Sequence, residues 1–282
     1  MNKKESKQLF IKKLKDFAGG LTDKISKENE WTIRGFIDIF KKVHTISSDT
    51  KVVSKILELH LFPYFSEFAK NINYDMELAR YQNWYPDLTF INKEDKNIKF
   101  AVDIKTTYRN ENSPELCNGF TLGSHGEYFC DRKSHKNIQY PYNEYSGHFC
   151  VGIIYSRADL KKDDEIKIYD VVDILKVPAV IKNFIFFAEE KWKIASDKGG
   201  SGNTANIGSI RKIDDILNGN GTFAKAGEAL FDDYWMNYGK IQNQNKDGKA
   251  KKITKFKDYC VYRRLPTSLI NDISEEVENN AE

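Results

Sequence analysis

No two of the four cysteines, Cys117, Cys130, Cys150 and Cys260, stand at C-x-x-C spacing, and no histidine lies at zinc-finger distance from them. Neither a disulfide framework nor a structural zinc site is expected, and a reduced cytoplasmic protein is the simplest account. No apolar run reaches the roughly 18 residues that crossing a bilayer requires, so no membrane span is expected. The charged start, Lys3-Lys4-Glu5, is followed by no long apolar core, so it does not read as a secretory signal. A dominant charge sign is lacking as well. Although 30% of the residues are charged, the net charge is only +3, so any nucleic-acid surface must come from local clustering. No internal repeat and no clear linker divide the chain. The sequence suggests one domain over residues 1–265, with residues 266–282 an acidic, fraying tail.

What is present is ample apolar material. The chain has 282 residues, 40% of them hydrophobic, enough to bury a sizeable core. Residues 7–17 place Leu9, Phe10, Leu14 and Phe17 among lysines and end at Gly19-Gly20, which predicts an amphipathic helix. Ser47-Ser48-Asp49 offers an N-cap for a second helix over 50–70, with Val52, Val53, Ile56, Leu57 and Leu61 at helical spacing. Glu58 falls on its polar side with Lys51 and Lys55, where ordinary ion pairs are its simplest use. The run 147–156 is continuously apolar and of strand length, which suits a central strand buried on both faces. Residues 31–43 are apolar-rich but of undecided type. Residues 166–176 and 182–195 fit either strand or helix, and 224–239 read as helical. Mixed α and β is the class this order supports.

The chemistry concentrates in one hairpin. Asp87-Leu88-Thr89-Phe90-Ile91 and the run Ile98 to Lys105 both alternate, as strands with one buried face do. The polar stretch 92–97 between them is turn chemistry. Pairing apolar with apolar sets Phe90 opposite Phe100, Leu88 opposite Val102 and Asp87 opposite Asp103, and a one-residue slip would break the pattern. Directly opposed side chains have Cβ atoms roughly 4.5–5.5 Å apart, where like charges repel. Two carboxylates so placed need a cation, a shared proton or open water. Lys105, two residues past Asp103, projects from the same face. Two acids and a lysine on one patch are the parts of a Mg²⁺-dependent phosphodiester-cleaving site. A turn aspartate and a solvated Asp-x-Lys ion pair are the plain alternative.

A second motif runs from Gly199 to Ser209. It has no lysine, so it is not a phosphate-binding P-loop, and its glycines do not fit a dinucleotide fingerprint. A flexible linker is one reading. The other is a base-reading loop, because Asn203, Thr204 and Asn206 are interleaved with glycines that permit close backbone approach. Gln82-Asn83, just before the Pro86-Asp87 corner, forms a second amide pair, either a polar turn or a groove contact.

In this order these pieces resemble the EcoRV family of type II restriction endonucleases. The matching segments include Ser48-Asp49-Thr50-Lys51-Val52, Tyr85-Pro86-Asp87, Asp103-Ile104-Lys105-Thr106-Thr107-Tyr108, Gly200-Ser201-Gly202-Asn203-Thr204, Asn206-Ile207-Gly208-Ser209-Ile210 and Asp233-Tyr234-Trp235. They span about residue 45 to 265. The hairpin alone would indicate only the broad PD-(D/E)xK nuclease class; the long glycine-loop match is far more specific.

The resemblance implies a restriction-endonuclease-like α/β fold, a mixed central sheet flanked by helices. It implies that Asp87 and Asp103 bind Mg²⁺, that Lys105 positions the attacking water, and that Glu58 is an accessory ligand. Gly200, Ser201, Gly202, Asn203, Thr204 and Asn206 would form the major-groove loop, and Gln82 and Asn83 the minor-groove loop. Thr106, Thr107 and Lys136 would meet the DNA backbone. The family is homodimeric, reads GATATC in double-stranded DNA and leaves blunt ends. Trp84, Ala205 and Met236 depart from the family pattern, which leaves sequence preference open. A repair or junction nuclease of the same core, and a catalytically silent DNA-binding protein, are the alternatives the residues allow.

Overall fold

The computed structural model describes residues 2–200, 205–244 and 250–266. Its centre is a seven-stranded mixed sheet. The strands are β1 (Ser26–Lys27), β2 (Glu30–Trp31), β5 (Tyr74–Leu78), β6 (Leu88–Asn92), β7 (Lys99–Tyr108), β9 (Tyr145–Arg157) and β11 (Ile181–Glu190), in the order β1-β2-β11-β9-β7-β6-β5. Only the β7–β9 pair is parallel; the other neighbours are antiparallel. Two three-stranded sheets stand apart from it. One joins β3 (Gly35–Ile37), β4 (Lys42–Thr45) and β10 (Ile168–Asp170); the other joins β8 (Thr121–Ser124), β12 (Ala195–Gly199) and β13 (Asn206–Ser209). A small ribbon pairs β14 (Gln242–Gln244) with β15 (Ala250–Lys252).

The register expected of the central hairpin is the one observed: Leu88 opposes Val102, Thr89 opposes Ala101 and Phe90 opposes Phe100. One expectation fails. The alternation suggested a single buried face, yet β6 and β7 are buried almost throughout. The reason is a core on each side of the sheet. Phe90, Phe100, Val102 and Ile104 meet one cluster, while Ala101 joins Cys150, Ile154 and Phe187 in the other. Small or polar side chains at alternate positions fill the second interface instead of facing water.

Helices cover the first face. Helix α1 (Lys3–Gly19) is longer than its apolar repeat because Asn2 and Glu5 form a capping box ahead of it. It buries Phe10, Leu14 and Ala18, one per turn, and the Phe10 ring stacks on Phe100 at 4.3 Å. After the short α2 (Leu21–Ile25), helix α3 (Thr50–Asn71) starts where Asp49 accepts hydrogen bonds from the Lys51 and Val52 amides. Val53, Leu57, Leu61 and Phe65 form its buried stripe.

The other face carries α4 (Glu127–Cys130), α5 (Lys191–Ile194), α6 (Ile213–Asn218), α7 (Glu228–Asn237) and α8 (Phe256–Tyr262), with Phe129, Tyr234, Trp235 and Phe256 buried among them. The undecided segments resolve as composites. Residues 31–43 supply parts of three short strands, 166–176 a strand followed by a 3-10 turn, and 182–195 a strand running into α5.

Gly152 shows how tightly the second face is filled. It lies between Lys105 and Phe187 in register, and a Cβ there would come within 2.1 Å of the Phe187 ring. Gly152→Ala should therefore lower unfolding free energy by about 1–3 kcal/mol through overpacking. A urea midpoint equal to the parent's would contradict this packing.

Candidate active site

Asp87 stands directly before β6, at the corner that follows Tyr85-Pro86. Two bonds to the neighbouring segment fix that corner: the Tyr85 amide donates to the Asn137 carbonyl (3.0 Å), and the Gln139 amide donates to the Tyr85 carbonyl (2.8 Å). Asp103 and Lys105 lie two residues apart on β7, on the side of the sheet that carries Ala101.

The carboxylates meet as the hairpin requires. The Asp87 amide donates to Asp103 Oδ1 at 3.2 Å, and the Ile104 amide donates to Asp87 Oδ2 at 2.8 Å. Lys105 Nζ lies 3.2 Å from Asp87 Oδ2 and 3.3 Å from Asp103 Oδ2. One ammonium thus bridges both acids, which marks a single cation-sized space onto which two carboxylates converge.

Electrostatics follow from burial. Asp103 is only 5% exposed. Desolvation raises its pKa above the ordinary carboxylate value; Lys105 opposes the rise and Asp87 adds to it. For Lys105 desolvation acts downward, yet Asp103 and Asp87 together hold its pKa above the usual ammonium value.

The donor set suits a hard divalent cation, because it offers carboxylate oxygens and no sulfur or imidazole. Among the described residues no group of three or more His, Cys, Asp and Glu side chains is placed to hold a metal. Asp87 and Asp103 are the two carboxylates that Lys105 joins, and a Mg²⁺ ion typically takes one or two carboxylates and completes its shell with water and substrate phosphate.

The remaining site residues fall at different distances from this centre. Glu58 is not brought to the pair; its carboxylate is held by Lys55 on the same helix at 2.7 Å. Thr106 is half-buried, its hydroxyl 2.5 Å from that of Ser54 on α3. Thr107 is buried, so its side chain does not reach the surface where a backbone contact was expected.

Gln82 and Asn83 are exposed in the turn before the corner, which the Trp84 amide closes onto the Tyr81 carbonyl at 3.0 Å. Lys136 is exposed and paired with Glu127 at 2.6 Å. Gly200 donates to the Asn206 carbonyl at 2.8 Å, closing the base of the glycine loop where β13 begins. Ser201, Gly202, Asn203 and Thr204 lie outside the described residues.

Lys191 was passed over in the sequence. It heads α5 and is buried on the same side of the sheet, its Nζ 5.1 Å from the Tyr85 ring centroid. A lysine closing an aromatic-rich run gives no sign that it turns inward.

Residues 27–264 match the family model of the restriction endonuclease EcoRV. The type II restriction enzyme EcoRV of Escherichia coli is 36% identical over 249 residues, which cover 88% of this chain and 97% of that protein. Among solved structures, the NlaIV restriction endonuclease aligns with a TM-score of 0.37 at 16% identity, over 73% of this chain and 67% of its own. The family model spans most of the sequence, including both aspartates and Lys105; the chain belongs to the EcoRV restriction endonuclease family.

Proposed function

We propose that the chain is a type II restriction endonuclease that cleaves duplex DNA at the palindrome GATATC with Mg²⁺, as a cytoplasmic homodimer, leaving blunt ends with 5′-phosphates. The observation that carries this reading is the convergence of Asp87, Asp103 and Lys105 on one point. Asp87 and Asp103 would hold the cation. Bound there, a hard divalent ion supplies charge stabilisation at the phosphodiester and acidifies a coordinated water.

Lys105 does the chain's own part. Its ammonium stays charged at neutral pH, so it serves as an electrostatic and orienting group beside the attacking water. Glu58 would join only by leaving Lys55, which makes it an accessory whose engagement accompanies DNA or metal binding. The glycine loop would read base edges through Asn203, with Gln82 and Asn83 approaching from the minor groove.

A homodimer is supported by an unpartnered apolar surface. Phe36, Ile39, Phe40, Ile168, Val172 and Leu175, on and beside the β3-β4-β10 sheet, are each between 56% and 91% exposed. A patch of this kind marks an association site, and a two-fold axis through it would set two active sites on opposite strands of a palindrome. The four cysteines are all free, which accords with a reducing compartment.

Three outcomes test the reading. Asp87→Ala and Asp103→Ala should each slow cleavage on the order of a thousandfold or more, since several kcal/mol of charge stabilisation is lost. Parent rates in a plasmid digest with Mg²⁺ would refute the assignment. Asn203→Ala should lose about 1–3 kcal/mol of discrimination between GATATC and single-base variants; unchanged relative cleavage rates would acquit that loop. The double substitution Phe40→Asp and Leu175→Asp should leave a folded monomer at micromolar concentration in sedimentation equilibrium, and a persisting dimer would move the interface elsewhere.

A further inference from the structure

Lys191 is 3% exposed, and among the described residues its Nζ has no hydrogen-bond partner. A buried, unpaired ammonium is among the costlier features a fold can hold. The surroundings are nevertheless shaped for it. The Tyr85 and Phe129 rings lie 5.1 and 5.9 Å from the ammonium, and faces of this kind attract a cation. Gly123 leaves the room: it has a φ of +96°, and a Cβ there would lie 3.1 Å from Nζ.

Strand register relates this position to the carboxylates across two strands. Asp103 of β7 pairs in register with Cys150 of β9, and Cys150 pairs with Glu189 of β11, two residues before Lys191. Tyr85, beside the ammonium, immediately precedes Pro86-Asp87. Burial lowers the Lys191 pKa to about 8, and Asp103 is the strongest charge acting in the other direction. At neutral pH the amine is therefore mainly charged.

We propose that Lys191 is a positioning residue that makes cation binding at Asp87 and Asp103 depend on the arrival of the DNA phosphate. The inference rests on the metal-site reading above. Two carboxylates with Lys105 alone leave one negative charge, which attracts a divalent cation to the free protein. Lys191 brings the group of four to neutrality. The free site then has little pull on the ion, and the phosphodiester supplies the charge that completes it. Cation and DNA are coupled without any movement of the fold.

Calorimetric titration of Mn²⁺ into the DNA-free protein tests this. Lys191→Met, an uncharged side chain of similar reach, should bind Mn²⁺ at least about tenfold more tightly than the parent, as expected when one unit of repelling charge leaves a partly screened site. Its melting temperature should be equal or higher, because an unpaired buried charge has gone. Lys191→Arg should keep the parent affinity, and Lys191→Gln serves as a second neutral variant should Met disturb the packing. Equal affinity in parent and neutral variants, or a fall in melting temperature with no gain in affinity, would overturn the proposal. Equal Mn²⁺ binding by the parent and Asp103→Ala would instead defeat the metal-site reading on which it rests.

Discussion

The repulsion between Asp87 and Asp103 is the constraint around which the site is organised. Two carboxylates aimed at one point are unfavourable together unless a positive charge lies between them. The fold does not relieve the conflict by parting them. It holds Asp87 by the Ile104 amide and Asp103 by the Asp87 amide, so each acid accepts from a backbone amide at or next to the other. Lys105 then meets both. The hairpin that carries both acids is packed between two cores, one on either side of the sheet.

That clamping explains why the hairpin is rigid enough to be useful. Phe90 and Phe100 are locked from one side by Phe10 and Phe68. From the other side, Phe187 stands against Gly152, next to Lys105 in register. A ligand pair built on buried strands keeps its geometry better than one on loops. The elements proposed to read DNA are the reverse: Gln82 and Asn83 sit in an exposed turn, and Gly200 closes onto Asn206 at the base of the glycine loop. In the proposed function, chemistry sits on the scaffold and recognition on its margins.

Much of this was legible in the residues. Period-two alternation with Phe90 and Phe100 at matching positions fixed the hairpin register, and register alone brings Asp87 to Asp103. The Asp49 cap and the Val53–Leu57–Leu61 spacing fixed α3 to within a residue of its observed end. Where the signal was weaker, tertiary context decided. Residues 31–43 became short strands through pairings near and far: β3 with the adjacent β4, and, distant in sequence, Lys182 with Glu30 and Tyr169 with Val43. The second buried face of β6 and β7 was hidden by Thr89, Ala101 and Asp103, whose small or polar character reads as solvent-facing. Lys191 was invisible for the same reason, since nothing local distinguishes an inward lysine from an exposed one. The position of Glu58 relative to the acids depends on how α3 lies over the sheet, which no local pattern encodes.

The proposed chemistry requires one cation shared by Asp87 and Asp103. Its most direct test is anomalous diffraction from crystals of the protein with duplex GATATC DNA and Mn²⁺. A single strong peak within ligand distance of both Asp87 and Asp103, beside the central phosphate, is the expected result. A peak coordinated by neither aspartate, or both carboxylates paired only with lysines while the DNA is bound, would contradict it.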